Sequence, residues 1–433
     1  MLLWASAGCA LAKPPAYSSG GTLTLDRALD IALHKNRTLE NAAMEVDKAA
    51  DSVAAEKTRR LPRLDLRLSE SYNLTPLSYT YEAGTFGTVP PKDVKIESQD
   101  DFTTVVTASI KQPLSELYRI NLSIDQQEIM EDITDQQLRA RRQSVTRDVK
   151  KAYYDILKSQ NSLASTEESI VFYRELDELV RRYLEEQTVL EYQVMEVDSR
   201  LARSEHQAFR ERNQLATQQE RLNKLLGRDV TERYSVSPVG VSSVPVPAQP
   251  VAEEIAMEQR PEISEAKLKL QHAMYGYRIK KSEYFPDVDL QYRYTRFYDT
   301  EFIPDKESAI GITAYWEFYD WGRKSQDLSK KNYAIRQARN EIREAQSQVL
   351  IDVNDGLRQL EDAQNLVAVT RLTQAAAREK LRVLMNQYRV QAVLLDDVLQ
   401  AESELSDANK EHNNALLSVW TSQAELQKAM GEE

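Results

Sequence analysis

At 433 residues the chain is long enough for several globular domains, yet with only 12 glycines and 14 prolines it is built for long elements and few turns. A formal net charge of −12 argues against nucleic acid as a partner. No window approaches the roughly 18 apolar residues that a membrane-spanning helix needs.

The first twelve residues, Met1 to Ala12, are small and apolar, and Ala10-Leu11-Ala12 before Lys13 has the form of a signal-peptidase site, so 1–12 is the remnant of an export signal. Cys9, the single cysteine, follows Ala7-Gly8 as in a lipoprotein box, except that Ser6 stands where leucine is usual. Either Cys9 is acylated or it leaves with the signal; in neither case does the mature chain form an internal disulfide.

From Thr24 to Lys35, the spacing of Leu25, Ala28, Leu29, Ala32 and Leu33 predicts a short helix, and a second follows from about Arg37 to Arg60. The period then changes to two. Leu64, Leu66 and Leu68 alternate with polar residues in a strand over about 63–74, and a Gly-, Pro- and Thr-containing loop leads to a second alternation over about 101–112. From 115 to 227 a long helical hairpin is expected, free of proline and glycine until Gly227, with Val194, Leu201, Ala208, Leu215 and Leu222 in heptad spacing on its return arm.

An extended linker spans 228–250, rich in valine and proline and uncharged from Tyr234 onward. Then the scheme restarts in a second repeat, 251–433, as the first occupies 13–227. Ala32 to Leu66 lies on Ala256 to Leu290 without a gap, strands follow at about 287–298 and 308–318, and a second helical hairpin covers 323–430. Its return arm carries Val398, Leu405, His412, Val419 and Leu426, with the small residues Ala401, Ala408, Ala415, Ser422 and Ala429 three positions on. Sliding by 204 residues sets Leu201 on Leu405, Val194 on Val398 and Leu190 on Leu394. The chain is an internal duplication. Its fold class is mainly α with a small β part, each unit being helix, β-hairpin and long helical hairpin.

Four strands of about ten residues, apolar on one face, have the pattern of transmembrane barrel strands. Four cannot close a barrel, and open edges are not tolerated in lipid, so a barrel must be shared between chains. Tyr292, Tyr294, Trp316 and Phe318 fit residues gathered at a bilayer interface. A small soluble sheet packed on helices is the alternative.

The duplicated plan, the motif Phe285-Pro286-Asp287-Val288-Asp289-Leu290 after a helix opened by Arg260-Pro261-Glu262-Ile263, and the Tyr319-Asp320-Trp321-Gly322-Arg323 lead into a long helix resemble the TolC outer-membrane efflux family over Thr24 to Met430. The resemblance implies a homotrimer in the outer membrane. Three chains would contribute a twelve-stranded β-barrel held in outer-membrane lipid and a periplasmic α-helical barrel, opened by a periplasmic adaptor protein and an inner-membrane transporter. It also places Tyr388 at a gate tyrosine and Asp397, or the adjacent Asp396, in a luminal aspartate ring that would favour cations. The pattern breaks at Val393, where a gate arginine is usual, and at Gln193, where the first half would carry an aspartate. Gln187 and Gln391 replace the glycines at the two hairpin tips, and the apolar Val189, Leu190, Val393, Leu394 and Leu395 either seat an adaptor or pack the tips. Asp396 and Asp397 have a plain reading too, as a solvated helix face.

The four histidines, His34, His206, His272 and His412, lack zinc-ligand spacing, and no phosphate loop or nucleophile motif appears, so neither cofactor nor metal nor catalysis is expected. The functional expectation is a passive export conduit of a tripartite efflux or type I secretion system. A non-conducting periplasmic coiled-coil scaffold or adaptor is the rival, although adaptors normally carry one helical hairpin per chain.

Overall fold

Helix α1 (Leu25–Lys35) begins where the Thr24 hydroxyl accepts from the Arg27 amide at 3.4 Å. Asn36 then caps α2 (Arg37–Thr58), its Oδ1 accepting from the amides of Thr38 at 2.8 Å and Leu39 at 3.2 Å. The computed structural model describes residues 21–75, 78–97, 102–239, 245–298 and 304–432. The leader 1–12 and Cys9 lie outside the described residues. Beyond α2 come β1 (Arg63–Tyr72), β2 (Ser78–Tyr81), β3 (Val94–Glu97), β4 (Phe102–Pro113), α3 (Glu116–Glu185) and α4 (Glu191–Leu225). The second repeat supplies α5 (Gln249–Gln259), α6 (Pro261–Ser282), β5 (Asp287–Tyr298), β6 (Lys306–Tyr315), α7 (Arg323–Arg389) and α8 (Leu395–Met430).

The chain divides into two compact units, a sheet unit of 45–135 and 264–343 and a helix unit of the described parts of 1–44, 136–263 and 344–433. In the sheet unit the order β1-β4-β5-β6 is antiparallel throughout, so β4 and β5 join the two repeats and β1 and β6 are the edges. β6 stops at Tyr315, three residues short of the alternation that extends to Phe318. Tyr315 pairs with Asp287, the first residue of β5 after Pro286, which offers no amide to continue the ladder. The loop between β1 and β4 holds one feature the sequence reading missed, the small hairpin β2–β3, in which Tyr79 opposes Ile96 and Tyr81 opposes Val94.

In the helix unit the two repeats close the end of the return helix from the same position, with different side chains. Asn36 Nδ2 donates to Leu225 O at 2.7 Å, and Arg260 Nη1, in the corresponding place, donates to Lys428 O at 3.2 Å and Ala429 O at 3.4 Å. Each return helix therefore has its final carbonyls satisfied by the residue that opens the pre-strand helix. Each also ends on a left-handed glycine, Gly227 at φ 65° and Gly431 at φ 86°. A Cβ on Gly227 would lie 2.1 Å from Lys35 O and one on Gly431 would lie 2.9 Å from the Gln259 carbonyl carbon.

Side-chain pairs set the lateral order of the long helices as α4-α3-α8-α7. Arg212 with Glu167 and Arg174 with Glu205 join α4 to α3; Arg147 with Glu425 and Ser169 with Ser406 join α3 to α8; Gln374 with Asn409 and Lys380 with Glu404 join α7 to α8. On the α8 seam the small residues Ala401, Ala408, Ala415 and Ala429 are buried, whereas Leu405, His412 and Val419 are only half-buried. The larger Val398 and Leu426, at the two ends of the seam, are buried as well, so it is the middle of the seam where only the small residues are fully covered.

Candidate functional site

Both helical hairpins turn in the same way. In the first, Gln187 N donates to Leu184 O and Thr188 N to Tyr183 O, each at 2.9 Å; in the second, Gln391 N donates to Tyr388 O and Ala392 N to Gln387 O, again each at 2.9 Å. Gln187 and Gln391 sit at φ 60° and 57°, the left-handed region that glycine enters freely. The turn that the missing glycines left open is thus formed by glutamine, at a cost of about 1 kcal/mol or more each.

The next helices are capped from within. Leu190 N donates to Gln193 Oε1 at 3.0 Å and Leu394 N to Asp397 Oδ2 at 3.2 Å, so Gln193 and Asp397 are equivalent positions three residues into α4 and α8. Asp396 and Asp397 are exposed and lie in the first turn of α8, where the helix dipole favours carboxylates.

The two tips share one apolar core. Tyr173, Leu176 and Val180 of α3, Val194 and Val197 of α4, Tyr388 of α7, and Leu395, Val398 and Leu399 of α8 are all buried there, with Val189 and Val393 packed against them. Leu190 and Leu394, by contrast, are 66% and 69% exposed. Tyr388 is 4% exposed, its ring lies 6.1 Å from Tyr183, and its Oη has no hydrogen-bond partner. Burial, with a smaller contribution from Tyr183, pushes the Tyr388 phenol up to about 12. The Tyr183 hydroxyl instead donates to Arg389 O at 3.0 Å. One further tie escaped the sequence reading: the Tyr173 hydroxyl donates to the buried Glu402 carboxylate, 229 positions away. No local signal marks that pair, because each member alone is an ordinary helix residue.

In the sheet unit the four strands present two chemically distinct faces. Directly opposed residues share a face, so Leu64, Ile110, Tyr292 and Ile310 form one row and Leu66, Ala108, Tyr294 and Ser308 the next. This face is bare: Leu64, Leu66 and Leu68 are 70–77% exposed, and Ile310 and Ile312 are exposed to a similar degree. The opposite face carries Asp65, Arg67, Ser109, Thr107, Gln291, Arg293 and Thr313. At the end of the sheet where the strands run into helices, Phe285, Trp316, Phe318, Tyr319 and Trp321 are all exposed. An antiparallel sheet apolar on one face and polar on the other has the alternation found in membrane strands.

A family model described as outer membrane efflux protein matches residues 28–228 and 254–432, most of the chain and both of its repeats. The chain belongs to this family. Among solved structures similar in fold, the efflux protein resembles CusC, at TM-score 0.79 and 16% identity over 94% of this chain and 92% of that one. It also resembles the CmeC outer membrane channel of Campylobacter jejuni, at TM-score 0.77 and 14% identity over 100% and 94%. A third is the outer membrane protein VceC of Vibrio cholerae, at TM-score 0.75 and 15% identity over 94% and 96%. No curated protein matches it by sequence. The efflux protein is an outer-membrane channel, mainly α with a small sheet and built by duplication. Among the described residues no helix is long and apolar enough to cross a membrane.

Proposed function

We propose that three copies of this efflux protein close a twelve-stranded barrel and a helical tunnel, forming a passive conduit that a periplasmic adaptor and an inner-membrane transporter open. The observation that carries this reading is the four-stranded sheet with a bare apolar face and two unpaired edges, β1 and β6. Lipid exposure of such edges costs several kcal/mol per unpaired group, and pairing β6 of one copy with β1 of the next removes that cost. The helix unit has matching open seams on its outermost helices. α4 exposes Tyr192, Met195, Ala202 and Phe209 at heptad spacing, and α7 exposes Val369, Leu372, Ala376 and Val383 likewise. Neighbouring copies would cover both.

At the tips, three copies of Asp397, with Asp396 beside it, would set a ring of negative charge, with Tyr388 and Gln193 behind it in the closed constriction. Gln187, Val189, Leu190, Gln391, Val393 and Leu394 would offer the adaptor its contact, Leu190 and Leu394 being the exposed members.

Single-channel conductance in a planar bilayer tests the reading. The trimer should give small, cation-selective currents. Asp397→Asn keeps an acceptor for Leu394 N and removes only the charge, so it should lower cation selectivity without opening the tip. A non-conducting protein that stays soluble without detergent would instead support a periplasmic scaffold.

A further inference from the structure

On the bare face of the sheet three charged residues stand out, and all three lie toward the loop end, away from the helices: Glu70 on β1, Arg296 on β5 and Lys306 on β6. Arg296 and Lys306 oppose one another directly across the β5–β6 ladder, and Val106 flanks Arg296 on the other side. Cβ atoms of such a pair are about 5 Å apart, and like charges placed so repel. Both side chains are exposed, and neither forms an ion pair with a described residue. Glu70 does not offset them, because it opposes Thr104, in the row of Tyr298, two strands across from Arg296. Glu307 and Asp305, their neighbours in sequence, belong to the opposite face. The Arg296 guanidinium lies over the Tyr298 ring at 4.8 Å and so is turned toward the loop end, with its stem along the apolar band. From Asp287, opposite Tyr315 at the helix end of the ladder, to Arg296 is nine residue steps, roughly 30 Å along the strand. At a barrel-strand tilt of about 40° that is roughly 23 Å across the membrane, close to the ~25 Å height of the apolar band, so a lipid-facing sheet would hold the pair where hydrocarbon gives way to headgroups.

We propose that Arg296 and Lys306 together seat a phosphate of the saccharide lipid that fills the outer leaflet of the outer membrane. A phosphate between them satisfies both cations, turns a repulsive cross-strand pair into a bridged one, and leaves the acyl chains against Leu68, Val106 and Tyr294 of the same face. Arg296 suits the task by its planar fork of donors and Lys306 by its mobile point charge. The inference rests on the reading of the bare face as lipid-facing. Insertion and conductance report on that reading separately from lipid retention.

The test uses the detergent-purified, delipidated full-length protein, incubated with lipid A carrying two phosphates, with dephosphorylated lipid A, or with phosphatidylglycerol, and retained lipid is counted by native mass spectrometry. Wild type should retain bisphosphorylated lipid A in preference to both others, and the Arg296→Gln, Lys306→Gln double variant should bind it on the order of tenfold more weakly while still forming channels. Arg296→Lys should keep most of the binding. Equal retention of phosphorylated and dephosphorylated lipid A by wild type would overturn the proposal whether or not the variants fold. So would phosphatidylglycerol bound as well as lipid A, or an unchanged affinity in the double variant.

Discussion

At the scale of single residues, backbone conformation decides more than side-chain chemistry. Gln187 and Gln391 hold the left-handed position of each tip, so Gln391→Gly should relieve strain and raise the melting free energy by about 0.5–1 kcal/mol, the gain being reduced by the greater freedom of glycine in the unfolded chain. Gly227 is the opposite case. Its missing side chain is replaced by the Lys35 carbonyl, so Gly227→Ala should cost about 3 kcal/mol or more in chemical denaturation. Tyr388 carries a buried hydroxyl without a partner, and Tyr388→Phe should leave stability unchanged or slightly raised. A clear loss of stability in that variant would mean the hydroxyl bonds to another copy. The same burial gives a pH signature. Because the Tyr388 phenol is raised to about 12 from an unfolded value near 10, its contribution is intact below pH 10 and lost as pH climbs from about 10 to 12. Alkaline unfolding followed by tyrosinate absorbance should shift upward in Tyr388→Phe.

At the scale of elements, the caps are where the duplicated architecture departs from strict symmetry. Asn36 and Arg260 occupy equivalent places, but only Arg260 brings a charge, 6% exposed and paired with Glu262 at 2.9 Å and Asp352 at 3.2 Å. Arg260→Ala removes both ion pairs and the cap on the last carbonyls of α8; because Glu262 and Asp352 are partly exposed and Asp352 keeps Gln348 as a donor, it should cost about 2–3 kcal/mol. Asn36→Ala loses neutral hydrogen bonds and should cost about 1–2 kcal/mol. The pair of melts is a direct comparison of the two solutions. On the α8 seam, His412 lies at 3.2 Å from Thr370 Oγ1, and burial, with Arg371 nearby, lowers its pKa. A lowered histidine is protonated more readily unfolded, so its destabilising contribution appears as pH falls below about 6.5. Acid unfolding in His412→Gln should be displaced to lower pH.

At the scale of the whole molecule, duplication was the most legible property. Offsets of 204 and 224 residues are visible in the sequence because heptads and strand alternation repeat with them, and the same offsets relate Asn36 to Arg260 and Gly227 to Gly431 in the structure. Helices free of proline and glycine were legible for the same reason, since local propensity acts within a few residues. The β2–β3 hairpin was missed because four-residue alternations such as Tyr79-Thr80-Tyr81 are too short to stand out from a loop. Of the candidate site, the sequence by itself determined which residues stand at the tips, because the heptads count them off. It also determined that one sheet face is apolar, because strand period fixes side-chain direction. Only the tertiary structure decided that β4 pairs with β5, that Tyr173 meets Glu402, that Tyr388 is buried with both tips, and that Arg296 faces Lys306. Those pairings join positions that are remote in sequence or separated by a loop, and they depend on strand register and helix packing, which no local pattern encodes.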